Sequence, residues 1–253
     1  MVKPLIAANW KMYKTIGEAV SFAREMVGQA GSMDDREIVL APSFASLSAV
    51  AEACRGSAIR VAAQNMHWEE QGACTGEVSP LMLLDAGCAF VIIGHSERRR
   101  LFGERDEGIN LKIKAALKHR LNPIFCLGES LEERESGRTF DVVEKQLERG
   151  LNDISSHDIR AVTVAYEPVW AIGTGKTATP AQAGEVHGFI RKWLAGRYGE
   201  SAAPSVRIIY GGSVNEKNVE ELMATPGIQG ALVGGASLEV RSFLRIVRFG
   251  NNG

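Results

Sequence analysis

Short, almost wholly apolar runs recur along the chain, and the stretches between them carry helical spacing or helix-capping signals. The runs are Leu5–Asn9, Ile38–Ala41, Ile59–Gln64, Ala89–Ile93, Pro123–Leu127, Val162–Tyr166, Val206–Tyr210 and Ile228–Val233. Runs this short, with apolar rather than alternating positions, predict parallel strands buried on both faces. From Leu5 to Ile228 their starts lie about 32 residues apart on average, close to the ~30 of a strand–helix–strand unit. Helix signals fill the gaps. Gly17–Val27 has apolar positions near helical spacing, and Ser79-Pro80 forms an N-cap and first-turn proline. Ile109, Ile113 and Leu117 lie four apart within Asp106–Leu117, and Phe140, Val143 and Leu147 form a second stripe. Thr179-Pro180 repeats the cap-and-proline signal, and Ser237-Leu238-Glu239 is expected to start a short final helix.

No Ser-, Gly- or Pro-rich linker divides the 253 residues. Eight strand–helix units of this length predict an α/β fold, a single-domain (β/α)8 TIM barrel spanning residues 1–253, with eight parallel strands surrounded by helices. A doubly wound open sheet is the alternative. Barrel enzymes place their chemistry at the C-terminal strand ends, which directs attention to the polar residues found there.

After the first run come Asn9-Trp10-Lys11; an extended reading puts Asn9 and Lys11 on one side, facing the barrel mouth. The fourth run leads into Gly94-His95-Ser96-Glu97, so His95 joins the same rim. Glu167 follows the sixth run directly, ahead of a loop reaching to Thr179 that is longer than the usual strand–helix connection and has the length of a lid. The last two runs are followed by Gly211-Gly212-Ser213 and Gly234-Gly235-Ala236-Ser237. Paired glycines there allow the close backbone approach that a barrel phosphate site uses. A carboxylate, an imidazole, a cation and a phosphate cradle fit proton abstraction beside a carbonyl, with His95 and Lys11 stabilising an enediolate oxyanion. His67, His119, His157 and His187 lack such company and read as surface or packing residues.

Composition narrows the classes. A net charge of -1 argues against a nucleic-acid partner, and Arg98-Arg99-Arg100 is flanked by Glu97 and Glu104. Cys54, Cys74, Cys88 and Cys126 show neither Cys-x-x-Cys nor zinc-like spacing, so reduced thiols and no metal are expected. No apolar run approaches the ~18 residues of a membrane span, which makes a cytoplasmic protein without a membrane partner the expectation. Gly175-Lys176-Thr177 echoes a Walker A loop, but Trp170 stands where its first glycine belongs. A dinucleotide fingerprint forced onto Gly173-x-Gly175 lies six residues beyond the strand, too far to serve.

Motifs along nearly the whole chain resemble the triosephosphate isomerase family. They include Asn9-Trp10-Lys11-Met12, Ala63-Gln64-Asn65, Thr75-Gly76-Glu77, Gly94-His95-Ser96-Glu97-Arg98-Arg99 and Cys126-Leu127-Gly128-Glu129. Tyr166–Lys176, Tyr210–Val214 and Gly234–Leu238 continue the series in the family's order. The resemblance implies an aldose–ketose isomerase of glycolysis and gluconeogenesis that acts on triose phosphates without a cofactor. Position by position it implies Glu167 as base, His95 as electrophile, Lys11 as electrostatic stabiliser and Asn9 as substrate contact. It implies a phosphate held by the backbone of Gly173, Ser213, Gly234 and Gly235. Glu97 would support Lys11, and Tyr210 with Ser213 would help hold a closed loop. It also implies a homodimer in which Thr75 approaches the neighbouring subunit's active site. Tyr13 and Cys74 depart from the family pattern near that expected contact. A non-catalytic phosphate-binding barrel is the alternative function, and it would typically lack one of Glu167, His95 and Lys11.

Overall fold

Strands β1 (Leu5–Asn9), β2 (Glu37–Ala41), β3 (Arg60–Ala63), β4 (Phe90–Ile93), β5 (Asn122–Leu127), β6 (Thr163–Tyr166), β7 (Arg207–Tyr210) and β8 (Gly230–Val233) pair in sequence order. All pairs are parallel, and β8 closes on β1 through Leu5↔Gly230 to Ala8↔Val233. The protein is therefore a single-domain (β/α)8 barrel, seen here in a computed structural model that describes residues 2–172 and 177–250. Its outer layer consists of α1 (Ile16–Ala30), α2 (Leu47–Ala53), α3 (Pro80–Asp85), α4 (Ser96–Phe102) and α5 (Asp106–Lys118), followed by α6 (Leu131–Glu135), α7 (Thr139–Gly150), α8 (Pro180–Tyr198), α9 (Val219–Ala224) and α10 (Val240–Val247).

The largely apolar strand sequences are explained by two cores back to back. Leu5, Ala7, Val39, Phe90, Ile92, Ile124, Cys126, Ala165, Ile209 and Leu232 fill the barrel interior. Their neighbours Ile6, Ala8, Ile38, Leu40, Val91, Phe125 and Val164 pack outward against the helices. Both faces of each strand are thus removed from water, so alternation of apolar and polar residues disappears. Helix starts follow local chemistry. Thr179 caps α8 by accepting the Gln182 amide at 3.2 Å, and the Gln182 side chain returns a bond to the Thr179 amide at 3.0 Å. The final helix begins at Val240 rather than at Ser237. The Ser237 hydroxyl donates to the carbonyls of Val233 and Gly234, at 3.0 and 2.7 Å, and tightens Gly235–Ser237 into a 3-10 turn.

The interior parity also sets up the mouth. Asn9 follows Leu5 and Ala7 at the same parity, and Glu167 follows Ala165, so each is the first polar side chain above the interior core. His95 is on the opposite parity from Phe90 and Ile92. Gly94, at φ +75°, turns the chain between them and makes His95 the N-cap of α4. Among the described residues, no helix is long and apolar enough to cross a membrane.

One histidine inside the helical layer gives the fold a pH dependence. His187 on α8 is fully buried, its Nδ1–H donating to the Gly227 carbonyl at 3.1 Å and its ring set edge-on to Tyr166. Burial pushes its imidazole down to about 4, against about 6.5 in an unfolded chain. The unfolded state then binds more protons between those values, so stability is complete above about 6.5 and falls with pH toward about 4. The loss from this group amounts to about 3 kcal/mol. Denaturant unfolding at pH 7.5 and 4.5 is expected to show a pH dependence shallower by about 2 kcal/mol in His187→Gln than in the parent. Equal slopes would remove His187 as the cause.

Candidate active site

Lys11 is not extended. Its φ is +53°, a left-handed backbone that costs a non-glycine residue on the order of 1 kcal/mol. Two side chains hold it there: Asn9 Oδ1 accepts the Lys11 amide at 3.0 Å, and Gln64 Nε2 donates to the Lys11 carbonyl at 2.8 Å. Gln64 Nε2 also reaches the Ala41 carbonyl at 2.8 Å, tying this turn to β2. Asn9 and Lys11 do line one cavity, as the sequence reading expects, but through a left-handed turn instead of shared strand parity. The Lys11 ammonium lies 2.7 Å from Glu97 Oε1. That pairing orients the cation, and its energy is modest because both side chains are partly exposed.

His95 and Glu167 meet beside it. The Glu97 amide, in the first turn of α4, donates to His95 Nδ1 at 3.2 Å. A nitrogen that accepts carries no proton, so the proton of the neutral ring resides on Nε2. Nε2 lies 3.0 Å from Glu167 Oε1. Glu167 Oε2 accepts the Ser96 amide at 2.9 Å, and the Ser96 hydroxyl is 3.4 Å from Oε1. Burial draws the His95 imidazole toward its neutral form, but the adjoining Glu167 carboxylate outweighs it and raises the imidazole above its ordinary value. The Glu97 carboxylate adds a smaller upward pull, and the Lys11 ammonium opposes it.

A cavity of about 360 Å³ opens in front of these groups. Asn9, Lys11, His95, Ile172, Gly211–Asn215, Leu232 and Gly234–Ala236 line it. The two late glycine segments therefore share a wall with the cation and the imidazole. A Cβ at Gly211 would stand 2.8 Å from Glu167 Cγ, so the close approach of these two segments requires glycine there. Glu167 itself is buried behind His95 and does not line the cavity. Tyr210 lies beneath, its phenol pushed up to about 12 by burial, with the Ala178 amide acting in the opposite sense. Thr75 is exposed on the β3–α3 connection and does not reach this cavity within one chain. Gly173 lies outside the described residues. Among those described, no group of three or more His, Cys, Asp or Glu is arranged to hold a metal ion.

Three participants escaped the sequence reading although each stands inside a quoted motif. Ser96 anchors the carboxylate, and its signal was its place directly after His95. Gln64 shapes the lysine turn. Glu129 is fully buried, and its Oε1 accepts from the Tyr166 hydroxyl at 3.1 Å, Trp170 Nε1 at 2.9 Å and Arg134 at 3.1 Å. It thereby ties the first turn after Glu167 to α6. Cys126 also lies close: burial, reinforced by the Glu167 carboxylate, pushes its thiol well above the ordinary range. All four cysteines are unpaired, with Cys54 and Cys88 raised to about 11 and about 12 by burial.

A closed (β/α)8 barrel that gathers a carboxylate, an imidazole and an ammonium at the C-terminal strand ends defines a class, the barrel enzymes whose chemistry is carried by strand-end side chains. Comparison with known proteins makes the assignment particular. Residues 4–250 match the family model for triosephosphate isomerase. The chain is 56% identical over 249 residues to the triosephosphate isomerase of Citrifermentans bemidjiense and 54% identical over 249 residues to that of Trichlorobacter lovleyi, covering 98% of this chain and 99% of each relative. It is 56% identical over 248 residues to that of Carboxydothermus hydrogenoformans, with the same coverage. The chain belongs to the triosephosphate isomerase family, and it is an isomerase.

Proposed function

We propose that the protein interconverts dihydroxyacetone phosphate and D-glyceraldehyde 3-phosphate through an enediolate, without metal or cofactor, as a cytoplasmic enzyme of glycolysis and gluconeogenesis. The observation that carries this reading is the shared wall: Lys11 and His95 face the same cavity as the two glycine segments, with Glu167 against His95. In the proposed step the Glu167 carboxylate takes a proton from the carbon beside the carbonyl. The C–H electron pair becomes the C=C bond, and the carbonyl oxygen takes the negative charge. His95 Nε2–H and the Lys11 ammonium stabilise that oxygen. The hydroxyl on the first carbon gives up its proton and the former carbonyl oxygen gains one, an exchange that His95 Nε2–H would relay between the two oxygens. Glu167 returns its proton to the former carbonyl carbon, so the isomerisation is complete with no net change in protons.

Glu167 sits ready for this role while withdrawn from it. Its contacts with Ser96 and His95 hold the buried carboxylate in place, and it would exchange them for the substrate's carbon acid. The phosphate would be held by the backbone of Ser213, Gly234 and Gly235, with Gly173 supplied from the loop, while Tyr210 and Ser213 would steady that loop when closed. Ile172 already stands in the cavity wall at the loop's start, and closure would exclude water from the enediolate.

A homodimer is part of the same reading. Met12, Tyr13, Phe44 and Phe102 are 94, 57, 41 and 68% exposed, an unusual set of large apolar side chains to leave in water. Met12, Phe44 and Phe102 line a cleft of about 270 Å³ that shares Asn9, Lys11 and His95 with the site. A partner's 65–79 connection, carrying Thr75, would fill it. A coupled assay of purified protein in EDTA is expected to follow glyceraldehyde 3-phosphate isomerisation, and light scattering on the same sample is expected to give twice the monomer mass. Phosphate-ligand binding with no turnover would instead establish the non-catalytic barrel.

A further inference from the structure

We infer that Gln146, half-buried on the side of α7 that meets the β5 exit, is a positioning residue for Glu167. Its side-chain amide makes two hydrogen bonds to a single backbone residue. Oε1 accepts the Gly128 N–H at 2.8 Å, and Nε2 donates to the Gly128 carbonyl at 3.2 Å. Gly128 is buried, so loss of this partner leaves a donor and an acceptor without compensation.

Gly128 is where the β5 exit grips the catalytic segment. The β5–β6 register ends at Leu127↔Tyr166, and three contacts follow in step. The Glu167 amide donates to the Leu127 carbonyl at 2.7 Å, and the Val169 amide donates to the Glu129 carbonyl at 3.1 Å. Between them Gly128, at φ +156°, packs so closely that a Cβ there would fall 1.8 Å from the Glu167 carbonyl oxygen. Residues 127–129 thus hold 167–169 as a short continuation of the ladder, and Gln146 supplies the side-chain clamp on its middle residue. The Glu167 side chain must leave Ser96 to work, whereas its backbone must stay fixed if the swing is to end at the substrate carbon. Gln146 acts on that fixed point, through Gly128, without reaching the cavity.

This inference rests on Glu167 being the base, and the test separates the two. In Gln146→Met, kcat is expected to fall about 10- to 100-fold, the size of effect a shift of about 1 Å in a reacting group produces. KM and the inhibition constant of inorganic phosphate are expected to stay within about twofold, because the phosphate wall is untouched. Gln146→Glu supplies a readout that simple destabilisation would not move. A protonated carboxyl reproduces both hydrogen bonds, whereas an ionised one loses the donor to the Gly128 carbonyl. Its kcat relative to the parent should therefore climb as pH is lowered from 8 to 5.5, at constant folded fraction by circular dichroism. A Gln146→Met kcat within twofold of the parent, or a Gln146→Glu ratio independent of pH, would overturn the positioning role while leaving Glu167 as base. An inactive parent chain would overturn both.

Discussion

Glu167→Gln is expected to lower kcat by about 10³-fold or more, the upper part of the range for removal of a general base. The substitution preserves shape, and glutamine Oε1 can still accept the Ser96 amide that holds the carboxylate at 2.9 Å. What it removes is the lone pair that takes the carbon-bound proton. KM and competitive inhibition by inorganic phosphate are expected to change by less than about threefold, since Gly211–Asn215 and Gly234–Ala236 are left in place. Steady-state kinetics in both directions checks this. Near-parental kcat would exclude Glu167 as base, and a loss expressed wholly in KM would make it a binding residue instead.

Lys11→Met is expected to lower kcat/KM by about 10²- to 10³-fold, the cost of deleting one preorganised stabiliser of a developing oxyanion. It is also expected to weaken an anionic, phosphate-bearing analogue of the enediolate. The substitution leaves Glu97, now 2.7 Å from the ammonium, beside the site without its counter-charge. A repelling carboxylate would add to the loss. The double variant Lys11→Met with Glu97→Gln removes that repulsion, and it is expected to recover a minor part of the affinity while remaining far below the parent. Titration of the analogue against all three proteins measures both effects. If the double variant regained parental affinity, the lysine would serve only to neutralise Glu97.

The barrel was legible because its strands are apolar on both faces and recur at one interval, a pattern that survives without knowledge of any contact. Strand limits were less so: β3 ends at Ala63 although Gln64 continues the run, because Gln64 turns its amide to the Lys11 and Ala41 carbonyls. Glu167 and Asn9 could be placed at the mouth from strand parity. Lys11 was placed correctly for the wrong reason, since a left-handed turn held by Asn9 and Gln64 has no periodic signature. Ser96 and Gln146 act through contacts 71 and 18 positions apart, and Glu129 through partners 37 and 41 positions away besides the nearby Arg134. Such pairings exist only once the barrel has closed, so hydrophobic spacing carries no trace of them. Glu129 stands in the Cys126–Glu129 motif with nothing in its spacing to give it a role, and only its complete burial marks it as a fixed acceptor.

Proton transfer through one side chain is the centre of this account, and its most direct test is isomerisation in deuterium oxide. Dihydroxyacetone phosphate converted by the parent protein, with the product trapped as it forms, should yield glyceraldehyde 3-phosphate bearing deuterium at C2, because a proton held on Glu167 can exchange before it is returned. Glu167→Gln should form such product at least about 10³-fold more slowly than the parent. Rapid conversion by Glu167→Gln with deuterium still entering at C2 would contradict the assignment of Glu167 as the base.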